Sequence, residues 1–147
     1  MNAYVAYRKG ETLTDTDDKP RILIRVFEQM LKRLDDVERA IGEKNYQKKF
    51  EQLQKVIRVL ELLDASLDRS YKDIAENLSA LYRYIIGRLR QVHVTLNRET
   101  IEESRLLLQT IMEGFRKAYE VEARRKPATE AGQGLSSPGR VSLHLSV

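Results

Sequence analysis

The chain has 147 residues, 33% of them charged and 41% hydrophobic, which suits one domain with a single core and leaves little room for a second. Its formal charge of +4 could point to a polyanion partner, but acidic and basic residues alternate through most of the sequence, and solvated helix faces account for that pattern better. With no cysteine, a disulfide framework, a thiol nucleophile and thiolate zinc sites are excluded; no leader pattern and no apolar run near the ~20 residues of a membrane span are present, so the cytoplasm is the expected compartment. Only 7 Gly and 3 Pro, with no β-branched runs between turn residues, favour long helices over a sheet.

Residues 1–18 read as an arm. Tyr4 and Tyr7 form an aromatic patch without helical periodicity, followed by the polar stretch at 12–18. Asp17 or Asp18 can cap a helix, and Pro20 stands where a first-turn proline loses no hydrogen bond. From there Leu23, Phe27, Met30, Leu34, Val37 and Ile41 recur in steps of four and three, one stripe of a helix from about Lys19 to Ile41. At the usual rise that helix is roughly 34 Å long. Gly42 is expected to end it, and Asn45 to cap a second helix with the stripe Phe50, Leu53, Val56, Leu60, Leu63 and Leu67.

Ser70 is expected to open a third helix carrying Ile74, Leu78, Leu81, Ile85, Leu89 and Val92 on one face. Asn97 caps a fourth carrying Ile101, Leu108, Ile111, Phe115 and Ala118. Four helices of similar length with short joints predict an all-α, antiparallel up-down-up-down four-helix bundle over residues 19–126. Beyond Lys126, prolines, glycines and serines predict a flexible, disordered tail over 127–147. Its last residues alternate polar and apolar, a pattern that would also suit strand pairing with a partner.

Catalytic constellations are missing. A di-metal carboxylate centre in a bundle needs Glu-x-x-His pairs; the residue three before His93 is Arg90, and His144 falls in the tail. His93 reads as a helix-end histidine. Asp35, Asp36, Glu38, Glu102 and Glu103 neighbour basic residues at helical spacing, as Asp35 does Arg39, and read as solvated pairs. There is no glycine-rich phosphate loop and no nucleophile with a base, so neither a metal nor a cofactor is expected and the chain is not expected to be an enzyme.

Apolar residues, by contrast, are in excess. Helix two carries Ile57, Val59 and Leu62 beside its stripe, and helix three carries Tyr82, Tyr84, Ile86 and Val94. Part of this widens the core, since each bundle helix meets two neighbours. The remainder predicts an exposed groove for a partner, with Tyr4 and Tyr7 able to cover it when it is empty.

The segment Ile74–Leu89, and within it AsnLeuSerAlaLeuTyrArgTyr, resembles the third-helix motif of the flagellin-specific secretion chaperone family, FliS. Ala6-Tyr7 is similar to that family's aromatic arm, Pro20 to the proline that opens its first helix, Leu63–Asp68 to the end of its second, and 102–118 to its fourth. Lys19-Pro20 stands where the family commonly has SerPro, Phe115 where it often has Trp, and a tail like 127–147 is unusual in it.

The resemblance implies a cytoplasmic chaperone of bacterial flagellum assembly. It would bind the C-terminal region of flagellin, disordered when free and helical when bound, prevent premature polymerisation, and deliver its cargo to a component of the flagellar type III export gate. Such a complex is helix-in-groove recognition coupled to folding. The partner-binding residues this implies are Leu78, Leu81, Tyr82, Ile85 and Leu89 on helix three, Ile57 and Leu62 opposite, and Tyr4 and Tyr7 by position in the arm. The reading admits a homodimer and involves no nucleic acid and no membrane insertion. The alternative is a basic helical nucleic-acid-binding module using Arg83, Arg88, Arg90 and the run Arg124-Arg125-Lys126, although basic residues late in a helix also complement its dipole.

Overall fold

The computed structural model describes Ala6, Tyr7 and residues 19–133, without the side chains of residues 122 and 125–133. Among the described residues it holds α1 (Lys19–Gly42), α2 (Tyr46–Ala65), α3 (Lys72–Thr95) and α4 (Arg98–Gln133), and no strand. Each helix packs on the one before it, and α4 returns against α1, so the four close into the expected antiparallel bundle.

The joints are made by local backbone chemistry. At the end of α1 the Asn45 N–H donates to the Ala40 carbonyl (2.8 Å) and the Lys44 N–H to that of Ile41 (3.1 Å), with Lys44 left-handed at φ 58°. Gly42 is the last residue of α1, so the helix ends where the sequence placed its break; a side chain there would crowd the Arg98 guanidinium, 2.9 Å from where a Cβ would stand. Asn45 caps α2 as expected, its Oδ1 accepting from the Lys48 N–H at 3.1 Å. Asn97 does the same for α4 through the Glu99 N–H at 2.8 Å, after Leu96 has closed α3 at φ 55°.

Two starts and one end differ from the sequence expectation. Ser70 does not open α3: its N–H and hydroxyl both bind Asp68 Oδ1 in a turn, and Tyr71 takes the cap position without a side-chain bond. Phe50, expected at the head of the α2 stripe, is exposed, because the buried place one residue earlier belongs to Lys49, whose Nζ donates to the His93 carbonyl at 3.3 Å. Helix α4 runs on past Pro127 to Gln133, since alanine, threonine and glutamate on the far side of the proline continue the helix and Gly132 falls only in its last turn. The rest of the tail, 134–147, lies outside the described residues.

The core follows the stripes. Leu23, Phe27, Met30, Leu34 and Val37 of α1 meet Leu53, Val56 and Leu60 of α2, Ile85, Leu89 and Val92 of α3, and Ile101, Leu108 and Phe115 of α4, all fully buried. Phe27 and Phe115 pack ring to ring at 5.5 Å. Outside the core, α1 and α4 are clamped by Arg105, which binds Asp35, Glu38 and Glu102 at once. Asp35 therefore serves α4 and not Arg39, whose partner is Asp36 at 2.9 Å.

At one end of the α2–α3 pair His93 is wedged between Phe50, ring centroids 5.0 Å apart, and Gln54, whose Oε1 lies 3.3 Å from Nε2. An amide oxygen only accepts, so Nε2 carries the proton of a neutral ring, and Nδ1 is left buried without a partner. Burial, and then the Lys49 ammonium, hold the pKa of His93 below its ordinary value. The unfolded chain protonates near pH ~6.5 while the folded chain resists, so stability is complete above that pH and declines as pH falls through the lowered folded value. The urea midpoint should drop between about pH 7 and pH 5, and His93→Gln should flatten that slope; an unchanged slope in the variant would remove His93 from the account.

Candidate functional site

The arm enters the bundle at a defined point. The Asp68 N–H, in the α2–α3 joint, donates to the Ala6 carbonyl at 2.8 Å, which turns Tyr7 inward. The Tyr7 ring meets Phe115 edge-on at 5.9 Å, and its hydroxyl lies 2.8 Å from the Leu63 carbonyl and 2.9 Å from the Tyr82 hydroxyl. The carbonyl can only accept, so the Tyr7 proton serves Leu63 and the Tyr82 hydroxyl donates to the Tyr7 oxygen. Burial, reinforced for Tyr7 by Tyr82 and by the Asp64 charge, raises both phenol pKa values well above the ordinary range. Both rings stay neutral at any biological pH and act as hydrogen-bonded packing groups.

Beside this insertion, between α1 and α2, lies an open apolar groove of about 270 Å³. Tyr7 forms its floor, Leu23 and Val26 line the α1 side, and Val59, Leu62 and Leu63 line the α2 side. Only Ser66 adds a polar group to the lining, because the Tyr7 hydroxyl is already engaged in the interior. Such a groove is smaller than an ordinary cofactor pocket and matches one or two apolar side chains from a partner helix. Among the described residues no group of histidines and carboxylates could hold a metal, and no helix is long and apolar enough to cross a membrane.

The residues expected at the groove divide. Ile57, Leu78, Tyr82, Ile85 and Leu89 are buried and close the core of the free chain, where they offer no surface to a partner. The bundle needs them there: α3 must fill space against both α2 and α4, so its apolar face is wide. Leu62 is 61% exposed on the groove, and Leu81, 37% exposed, lies on the surface of α3. Tyr7 is fully buried, and Tyr4 lies outside the described residues. Of the other surplus residues, Ile86 is buried, Val94 is exposed at the end of α3, and Tyr84 donates to Glu103 Oε2 at 2.6 Å.

Leu23 and Val26 were not singled out from the sequence as groove residues. The signal was available: Ile22-Leu23-Ile24 followed by Val26-Phe27 carries more apolar surface than one stripe uses, so α1 and not α3 supplies the second wall. The basic residues of α3 do not form a free cationic surface. Arg83 pairs with Asp64 at 3.4 Å, Arg88 with Glu103 at 3.0 Å and Arg90 with Glu61 at 2.6 Å, leaving little of the field that nucleic-acid binding needs.

Fold and site together define a four-helix bundle that keeps an arm residue in its interior beside an apolar groove. Residues 1–122 match the model of the family described as flagellar protein FliS, and the chain belongs to that family. It is also 27% identical, over 110 residues, to the flagellar secretion chaperone FliS of Escherichia coli (strain K12), an alignment covering 74% of this chain and 81% of that protein.

The inserted hydroxyl gives a direct test. Tyr7→Phe keeps the ring against Phe115 but strips the Leu63 carbonyl and the Tyr82 hydroxyl of their partner, and should cost about 1–3 kcal/mol in urea unfolding. Amide exchange at Asp68 should quicken with it, since the Ala6 carbonyl shares the same anchor. Wild-type stability and exchange in the variant would show that the arm contributes nothing.

Proposed function

We infer that this chain is a cytoplasmic export chaperone for flagellin. It binds the C-terminal helical region of newly made flagellin, keeps it from polymerising, and hands it to a component of the flagellar export gate. Membership of the FliS family supports a chaperone role in flagellar export. The observation that carries the finer reading is the groove between α1 and α2, apolar on both walls and floored by a residue of the arm. A flagellin segment that is disordered when free would lay an amphipathic helix along it, with Leu62 as a direct contact. Tyr7 holds the floor, while Ile57, Leu78, Tyr82, Ile85 and Leu89 act from the core by fixing where α2 and α3 stand. The arm, Tyr4 included, would shield the groove until cargo arrives. Covering the apolar stripe that drives filament assembly is a matter of burial, and requires neither nucleotide nor metal.

Co-purification of this chain with flagellin, and with flagellin lacking its C-terminal helix, tests the reading. The full-length cargo should be retained in high salt and the truncated one lost. Leu62→Glu places a charge on an exposed position of the groove without touching the core, and should weaken flagellin binding roughly tenfold or more. Equal recovery of both cargoes, or undiminished binding by the Leu62 variant, would defeat it.

A further inference from the structure

One pattern in the sequence has no use in the bundle. Val141, Leu143, Leu145 and Val147 stand at alternate positions, so an extended chain there carries four apolar side chains on one face, roughly 7 Å apart. Arg140 is the one Lys, Arg, Asp or Glu among residues 134–147. Strand pairing, the usual employment of such alternation, needs a sheet edge, and the described residues contain no strand. An apolar groove is the other surface that can take a row of this kind.

The topology brings one within reach. The start of α1, the end of α2 and the C-terminal half of α4 share one end of the antiparallel bundle, where Arg21 Nη2 donates to the Tyr119 hydroxyl at 2.7 Å. The groove opens at that end, with Leu23 near the start of α1 and Leu63 and Ser66 at the close of α2. Helix α4 carries the chain a further ~21 Å from Tyr119 to Gln133. Residues 134–143 can span up to ~33 Å, enough to retrace that rise and to cross about two helix diameters to the groove. Gly134, Pro138 and Gly139 supply the turn-forming residues that such a reversal needs. The arm is less suited to fill the same space. It already gives Tyr7 to the lining, and six of the eleven residues at 8–18 are charged, which an apolar groove would strip of water.

We propose that residues 141–147 occupy the apolar groove of their own chain, as a stand-in that cargo must displace. A groove of about 270 Å³ takes one or two apolar side chains, and Leu143 and Leu145 fill it against Val59 and Leu62, where Tyr7 already lines the base. The backbone of the segment lies at the open mouth and keeps its water. Because the segment itself carries no Lys, Arg, Asp or Glu, burying its face desolvates no such charge. Displacement by cargo rests on the flagellin reading; occupation of the groove by the tail does not.

Methyl-labelled NMR of the full chain, compared with a full-length variant carrying Leu143→Asp and Leu145→Asp, tests the proposal. Both positions lie outside the four helices, so the variant keeps its bundle. The methyls of Leu23, Val59 and Leu62 should shift when the tail is released, and those of Leu106 should not. In fluorescence anisotropy, a labelled peptide of residues 140–147 should bind the variant roughly tenfold or more tighter than it binds the wild-type chain, whose tethered tail competes at a high effective concentration. Adding Leu62→Glu to the variant should abolish that binding. Groove methyls indifferent to the variant but moved by Tyr4→Asp, or peptide bound equally by both chains, would overturn the proposal. So would shifts that grow with protein concentration, which report a tail lodged in a second copy. No flagellin enters these measurements. A chain that passes them and fails to bind flagellin loses the flagellin reading and the displacement that rests on it, whereas one that binds flagellin and fails them loses this inference alone.

Discussion

The contact on which the arrangement turns is the Tyr7 hydroxyl beneath the surface of the bundle, shared between the Leu63 carbonyl of α2 and the Tyr82 hydroxyl of α3. A buried phenol without a partner is costly, so this oxygen fixes where the ring can lie and how far apart α2 and α3 can stand. Through Phe115 and Phe27 the same ring reaches α4 and α1. A residue from outside the four α-helices thus touches or spans to all four, and the Ala6 carbonyl bound to the Asp68 N–H holds it at the joint between α2 and α3.

That insertion explains why the groove beside it has the character it has. Tyr7 engages its hydroxyl in the interior, so the groove is apolar between Leu23 and Leu63 although a tyrosine helps to line it. The wall residue Leu62 is the most exposed of the leucines that line it. On the far flank of α1 the chemistry reverses, with Arg21, Arg25 and Arg116 around an open trough. One helix thereby separates an apolar surface from a charged one that Glu28 and Glu120 also line.

Much of the fold was legible in the residues. The α1 stripe from Leu23 to Val37, the caps at Asn45 and Asn97 and the four-helix topology all follow from spacing and local hydrogen-bond chemistry, and the helices lie close to where those signals place them. The boundaries that shifted did so for tertiary or local reasons that spacing does not carry. Lys49 displaces Phe50 by reaching a carbonyl on α3, and Ser70 is captured by Asp68. The site was harder to read. Periodicity marks a side chain as apolar and on one face, but whether Tyr82 or Ile57 faces the core or the solvent depends on the angle at which two helices meet. Sequence spacing pointed to a groove on α2 and α3, whereas the structure opens its apolar groove between α1 and α2, with Val59, Leu62 and Tyr7 common to both.

The central claim is that a flagellin helix lies in that groove. Methyl-labelled NMR of the chain during titration with the C-terminal segment of flagellin addresses it residue by residue. The account predicts large shifts for Leu23, Val26, Val59, Leu62 and Leu63, the residues that line the groove, and small ones for Leu106 on the distant exposed surface of α4. Shifts confined to Leu81 and Leu106, with the groove methyls unmoved, would contradict it.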